Sequence, residues 1–98
     1  MQMDIIAERI FELEDGTSIK LLVGRPQRVA DDFECVCRVI TASEERTLRL
    51  YGVDGVQALL HALGIAAIEV RRLAKRRGQQ VSAHMWMDLE RLIPPSAK

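Results

Sequence analysis

Cysteine, aromatic residues, long apolar runs and net charge are all scarce in this chain, and each scarcity argues against a class of protein. Cys35 and Cys37 are the only cysteines. Their spacing sets both side chains on one face of an extended segment, where a disulfide would close a small strained ring, so a disulfide-stapled scaffold is not expected. Zinc needs about four ligands, and the other soft donors, His61 and His84, fall far apart on different predicted elements. No metal and no cofactor is therefore expected, and the two thiols read as reduced, small packed hydrophobes. No apolar run approaches the ~20 residues of a membrane span, and Met1-Gln2-Met3-Asp4 lacks both the basic start and the apolar stretch of a signal peptide. The expectation is a soluble cytoplasmic protein with no membrane contact. The aromatics are Phe11, Phe33, Tyr51 and Trp86. Both phenylalanines read as core, which leaves little to stack on nucleic-acid bases.

What the chain does have is 98 residues, enough for one domain over 1–98 and no second, with 48% hydrophobic content to build a core. Its 14 basic and 14 acidic residues cancel, but unevenly along the chain. Residues 1–45 hold ten acids against five bases, and residues 46–98 hold nine bases against four acids. Two candidate surfaces follow. Asp31, Asp32, Glu34, Glu44 and Glu45 fall in or beside predicted turns and form an acidic patch, expected to be contiguous, that suits a basic protein partner. Arg71, Arg72, Lys75, Arg76 and Arg77 form a basic cluster at the end of a predicted helix. Cations there are stabilised by the helix dipole without any ligand, so nucleic-acid contact through them is the alternative and not the expectation.

Alternation predicts the strands. Ile5 to Leu13 is rich in β-branched and aromatic residues, and Asp15-Gly16 signals a tight hairpin into a second strand on which Thr17, Ile19, Leu21 and Val23 share one face. Gly24-Arg25-Pro26 ends that strand, because proline cannot donate to a ladder. Gln27 to Asp32 reads as a polar loop. Phe33, Cys35, Cys37 and Val39 then alternate with Glu34 and Arg38, and a turn at residues 42–45 leads into a fourth strand from Arg46 to Tyr51. Asp54 is a good N-cap, with Gln57 at capping-box spacing. Val56, Leu59, Leu60, Leu63, Ala67, Val70 and Ala74 recur at helical steps as far as Arg77, and Gly78 suits the C-cap. Val81 to Met87 alternates as a fifth strand. The predicted fold is α+β: an antiparallel four-stranded meander, extended to five strands by residues 80–87, with one long helix over residues 54–77 on one face. The predicted core comprises the named apolar positions of these strands, Phe11, Leu13 and Phe33 among them, with Val56, Leu59, Leu60, Leu63 and Ala67 of the helix.

Arg9 breaks the pattern, falling among Ala7, Phe11 and Leu13 on one alternating face. Either the first strand is central and apolar on both sides, or a bulge shifts its phase. A partner for Arg9 is expected from the tail, at Asp88 or Glu90. One helix covers one face only, so Ile6, Ile10, Leu22, Val36 and Ile40 are expected on an open face that meets another chain, a second copy giving a homodimer.

The pieces Ala7-Glu8-Arg9-Ile10-Phe11-Glu12-Leu13, Gly16, Gly24-Arg25-Pro26, Cys35 and Tyr51-Gly52-Val53-Asp54 followed by Gln57-Ala58-Leu59 resemble a family of short, uncharacterised bacterial proteins, catalogued as a domain of unknown function. The resemblance covers roughly residues 5–63 and implies a bacterial origin and a shared fold, but no activity or catalytic residue. There is no nucleophile elbow, phosphate-cradling glycine loop or zinc-protease motif. The expected function is thus a non-catalytic protein-binding module, such as an inhibitor, an immunity-type antagonist or an accessory subunit. The alternative from another class is a small-ligand binder or enzyme using His84, Trp86 and Arg9 in a cleft between the tail and the sheet.

Overall fold

The computed structural model describes residues 3–79. Five strands, β1 (Ile5–Glu12), β2 (Ser18–Gly24), β3 (Gln27–Val29), β4 (Asp32–Ile40) and β5 (Glu45–Gly52), precede one helix, α1 (Gly55–Arg76). All pairings are antiparallel: β1 with β2, β2 and β3 with β4, and β4 with β5. The predicted α+β fold with one long helix on one face is what forms. Its fifth strand, however, lies within the predicted loop Gln27 to Asp32. The predicted strand at 80–87 lies outside the described residues, as do Asp88 and Glu90.

The short strand β3 exists because Pro26 interrupts a ladder without turning the chain away. Val23 pairs with Cys37, and three residues after Gly24 the chain rejoins the same edge of β4, with Gln27 opposite Glu34. Ala30-Asp31 then closes a two-residue hairpin between Val29 and Asp32, with Ala30 at a φ of 51°. The β1–β2 hairpin has a three-residue loop: Leu13 N–H donates to the Thr17 carbonyl at 2.8 Å, and Gly16 takes a φ of 87°. Asp15 fixes this turn by accepting from Thr17 N–H and Oγ1 at 3.0 and 2.6 Å. Those bonds hold its carboxyl below the ordinary carboxylate range, the hydroxyl contributing most.

Both helix ends follow the sequence signals. Gln57 N–H donates to the Asp54 carboxylate at 2.8 Å, and the Gln57 amide oxygen accepts from Val53 N–H at 2.7 Å. At the other end Gly78 N–H bonds the Lys75 carbonyl and Gln79 N–H the Ala74 carbonyl, with Gly78 at a φ of 67°, a Schellman closure. The buried stripe is turned from the predicted one. Ala58, Ala62, Ala66, Val70 and Leu73 face the sheet, Leu59 and Leu63 are partly buried, Leu60 is half-buried outside the core cluster, and Val56 is 67% exposed. The rotation is about 70° at 100° per residue. Small alanines let the helix settle close onto β4 and β5, whose inward surface is already filled by Cys35, Cys37, Val39 and Leu48. Phe11, Leu13, Ile19, Leu21 and Val23 complete the core from β1 and β2.

β1 is an edge strand, not a central one, and its register shifts between Ile5 and Ala7, a bulge that lies before Arg9 and leaves it in phase with Phe11, so neither expected account of Arg9 holds. Arg9 lies level with Leu21 on the helix side, its guanidinium 5.5 Å from the centroid of the Phe11 ring.

Candidate functional site

Strand alternation sends every second residue away from α1, and no described element packs on that second face. Its rows follow from the register. Ile10, Lys20, Ile40 and Glu45 lie level across four strands, then Glu8, Leu22, Arg38 and Thr47, then Val36 and Arg49, then Gln27, Glu34 and Tyr51. Ile6, Ile10 and Tyr51 are 44%, 47% and 51% exposed. Leu22 is buried at its central place in the sheet, a departure from the expected exposure.

Three ion pairs stand on this face, while Glu12 and Asp32 add acids at its ends. Glu8 meets Lys20 at 3.8 Å, Arg38 meets Glu45 at 2.5 Å and Arg49 meets Glu34 at 3.5 Å. Tyr51 Oη donates to Glu34 at 3.0 Å, and this bond to a carboxylate pushes the phenol pKa up. Beside these groups a hollow of about 170 Å³ is lined by Met3, Gly24, Val29 and Val36, with the Asp4–Arg25 and Glu34–Arg49 pairs at its rim. Gly24 permits the hollow: a Cβ there would stand 2.8 Å from the Val36 carbonyl oxygen.

The structure separates the predicted acidic patch. Asp31 and Asp32 stand at the β3–β4 turn and Glu44 and Glu45 at the β4–β5 turn, opposite ends of a nine-residue strand about 25–30 Å long. The expected contiguity of these acids is therefore corrected, because a hairpin places its two neighbouring turns at opposite ends of the shared strand. Asp32, Glu34 and Glu45 alternate onto the open face, at its two ends and between them. The basic cluster is brought instead to the β4–β5 turn: Arg76 bonds Glu44 at 3.3 Å and Arg77 bonds Ser43 at 3.4 Å. Arg72 donates to the buried Glu69 at 2.5 and 3.1 Å, and Arg46 reaches the same carboxylate at 3.4 Å. Arg71 and Lys75 lie exposed on the same helix end.

Cys35 and Cys37 are buried and free, with Cys35 Sγ donating to the Gly24 carbonyl at 3.4 Å. The bond to Cys35, followed by burial, pushes the Cys37 thiol pKa up, so it stays protonated. His61 Nδ1 lies 2.9 Å from the Tyr51 carbonyl, bridging α1 to β5. His84 and Trp86 lie outside the described residues. Among the described residues no group of three His, Cys, Asp or Glu side chains is placed to hold a metal ion, and no helix is long and apolar enough to cross a membrane. Sequence reasoning missed Tyr51 and the hollow. The phase of Thr47 and Arg49 already assigns Tyr51 to the open face, whereas Gly24 looks from sequence only like a strand end.

A family model described as Domain of unknown function (DUF6968) matches residues 7–91. No curated protein and no solved structure matches.

Proposed function

We propose, on the premise that the chain belongs to the DUF6968 family of domains of unknown function, that it is a non-catalytic protein-binding module whose contact surface is the open face of the sheet. The observation that carries this reading is that no described element covers a face bearing Ile10, Val36 and Ile40, with Ile10 at one edge and Tyr51 at the other about half exposed. An uncovered apolar face of this kind marks a contact surface. The hollow beside Glu34, at about 170 Å³, would accept one large side chain of a protein partner. An inhibitor, an immunity-type antagonist or an accessory subunit in a bacterium would each act through such a face.

The test is affinity capture from the native host with the wild type beside an Ile10→Lys/Tyr51→Lys variant and an Asp31→Lys/Asp32→Lys variant, identified by mass spectrometry. The expected result is a specific protein retained by the wild type and by the Asp31/Asp32 variant, and lost with the face variant. Retention by the face variant and loss from the Asp31/Asp32 variant would move the contact to the acidic turn. A bound metabolite with no protein would overturn the reading.

A further inference from the structure

We propose that residues 80–87 pair antiparallel with the outer edge of β1 as a sixth strand, which sets Ser82, His84 and Trp86 on the open face beside Ile10. For the role of Trp86 the inference rests on the reading above that this face is a protein-contact surface, and it widens that surface by one strand.

The backbone of β1 leaves this edge free to pair. Leu13 N–H bonds the Thr17 carbonyl, and alternation from that pair directs the backbone groups of Phe11 and Arg9 toward β2 as well. Those of Glu8, Ile10 and Glu12 point the other way, and no described strand pairs with β1 on that side. A bare edge of this length is a template for a further strand. The helix delivers the chain to it. Arg76 and Arg77 hold the end of α1 against the β4–β5 turn, and the Gln79 amide oxygen accepts from Asp15 N–H in the β1–β2 turn at 3.0 Å. The chain therefore leaves the helix beside the end of β1, and a strand that returns along β1 runs antiparallel to it. Eight residues at ~3.3 Å each extend about 26 Å, which matches the eight residues of β1. The family match continues to residue 91, so this segment belongs to the same domain unit.

Handedness selects β1 over the other edge of the sheet, on β5. Thr41 N–H bonds the Glu44 carbonyl, and alternation from that pair points the backbone groups of Leu48 to β4 while its side chain lies in the core under α1. For L-residues this fixes the order: viewed from the helix with β5 running upward, β4, β2 and β1 lie successively to its right. A sixth strand beside β1 is then parallel to β5 and is reached through α1 by a right-handed crossover, the hand of about 98% of such connections. On the outer edge of β5 the crossover would be left-handed. Alternation sets the faces. Val81, Ala83, Met85 and Met87 join the helix side next to Phe11 and Leu13, which are 1% and 4% exposed although α1 packs chiefly on β4 and β5. Ser82, His84 and Trp86 then fall on the open face.

Nuclear magnetic resonance of the full chain tests the pairing. The expected result is a set of Hα–Hα contacts from Arg9 or Phe11 to Ala83 or Met85, read on the wild type and so independent of whether any variant folds. The Ile10 amide should also exchange at least about a hundredfold more slowly in the wild type than in His84→Pro, which removes a donor from the new ladder. Contacts from residues 81–87 to β5, or to Val36 and Ile40 across the open face, overturn the proposal, as does an Ile10 amide that exchanges freely. So do contacts that a mixture of labelled and unlabelled chains shows to run between copies. Trp86→Lys should keep the ladder and lower capture of the wild-type partner at least tenfold. A paired segment with capture untouched by Trp86→Lys overturns the widened contact surface. An unpaired segment, with capture still lost in the Ile10/Tyr51 variant, overturns the pairing and leaves the contact-face reading standing. A paired segment in a wild type that captures no protein overturns the contact-face reading, and the role of Trp86 with it, but not the pairing.

Discussion

Two single residues show where backbone geometry, and not side-chain chemistry, constrains this chain. Ala30 holds a φ of 51° in the β3–β4 turn, a conformation that costs an L-residue about 1–2 kcal/mol. Glycine adopts it freely but loses more chain entropy on folding, so Ala30→Gly is expected to stabilise by about 0.5–1 kcal/mol in urea titration. Gly52 is the opposite case. It ends β5 against the first turn of α1, and a Cβ there would lie 2.4 Å from Ala58 N and 2.9 Å from the Gln57 carbonyl carbon. Both are backbone atoms held in a capped helix and cannot swing aside, so Gly52→Ala should cost about 1–3 kcal/mol. Equal stability of that variant and the wild type would mean that strand and helix do not approach as described. Neither position was legible beforehand: Ala30 sits in a stretch that reads as a plain polar loop, and Gly52 as the residue between a strand and an N-cap.

Among the elements, four of the five strands and the limits of the helix were readable, while β3 and the helix's rotation were not. Asp54, Gln57 and Gly78 act locally, through bonds spanning a few residues, and such signals survive folding unchanged. The facing stripe is settled instead by what the sheet leaves room for, and alanines at 58, 62 and 66 win the contact over the bulkier Val56 and Leu60. Accordingly, Val56→Ala should change stability by less than about 0.5 kcal/mol, while Ala62→Leu should cost about 1–3 kcal/mol by overpacking. The reverse order in thermal melts would restore the stripe expected from periodicity. On the same helix Glu69 is buried between Arg72 and Arg46. The Arg72 hydrogen bonds hold its carboxyl below the ordinary carboxylate range, against the opposing effect of burial, with the charges of Arg46, Arg72 and Arg76 adding to them. Because the folded pKa is the lower one, the unfolded chain takes up this proton first as pH falls. The contribution is present above the unfolded carboxyl value of about 4.3 and is lost on acidification through the folded value. Glu69→Gln should therefore cost about 1–2 kcal/mol at pH 7, and the gap to wild type should narrow progressively as pH is lowered below the unfolded carboxyl value. A gap independent of pH would remove the carboxylate from the explanation.

At the scale of the whole molecule, the alternation of Ile10, Val36 and Ile40 with inward residues makes an open face legible in the sequence. Its hollow stayed hidden because it depends on a missing side chain at Gly24 and on Met3, 21 positions earlier, lying across the gap. The acidic patch failed for a topological reason, since nearness in sequence does not bring together the two ends of one strand. What remains distinctive is a small core, faced by alanine on the helix side, combined with zero net charge over the chain and an uncovered face that carries Ile10, Val36 and Ile40. A domain of this size buries only about 60–70% of its unfolded surface. Pairing of residues 80–87 with β1 would add burial within one chain, whereas association between copies raises stability by mass action and so depends on concentration. His84→Pro, which removes a donor from that ladder, is thus expected to melt several degrees below the wild type, and by the same margin as protein concentration is raised a hundredfold. Calorimetry over that range decides the matter: equal melting points would mean that the segment contributes nothing to stability, and a wild-type melting point that climbs with concentration would place the added burial between copies.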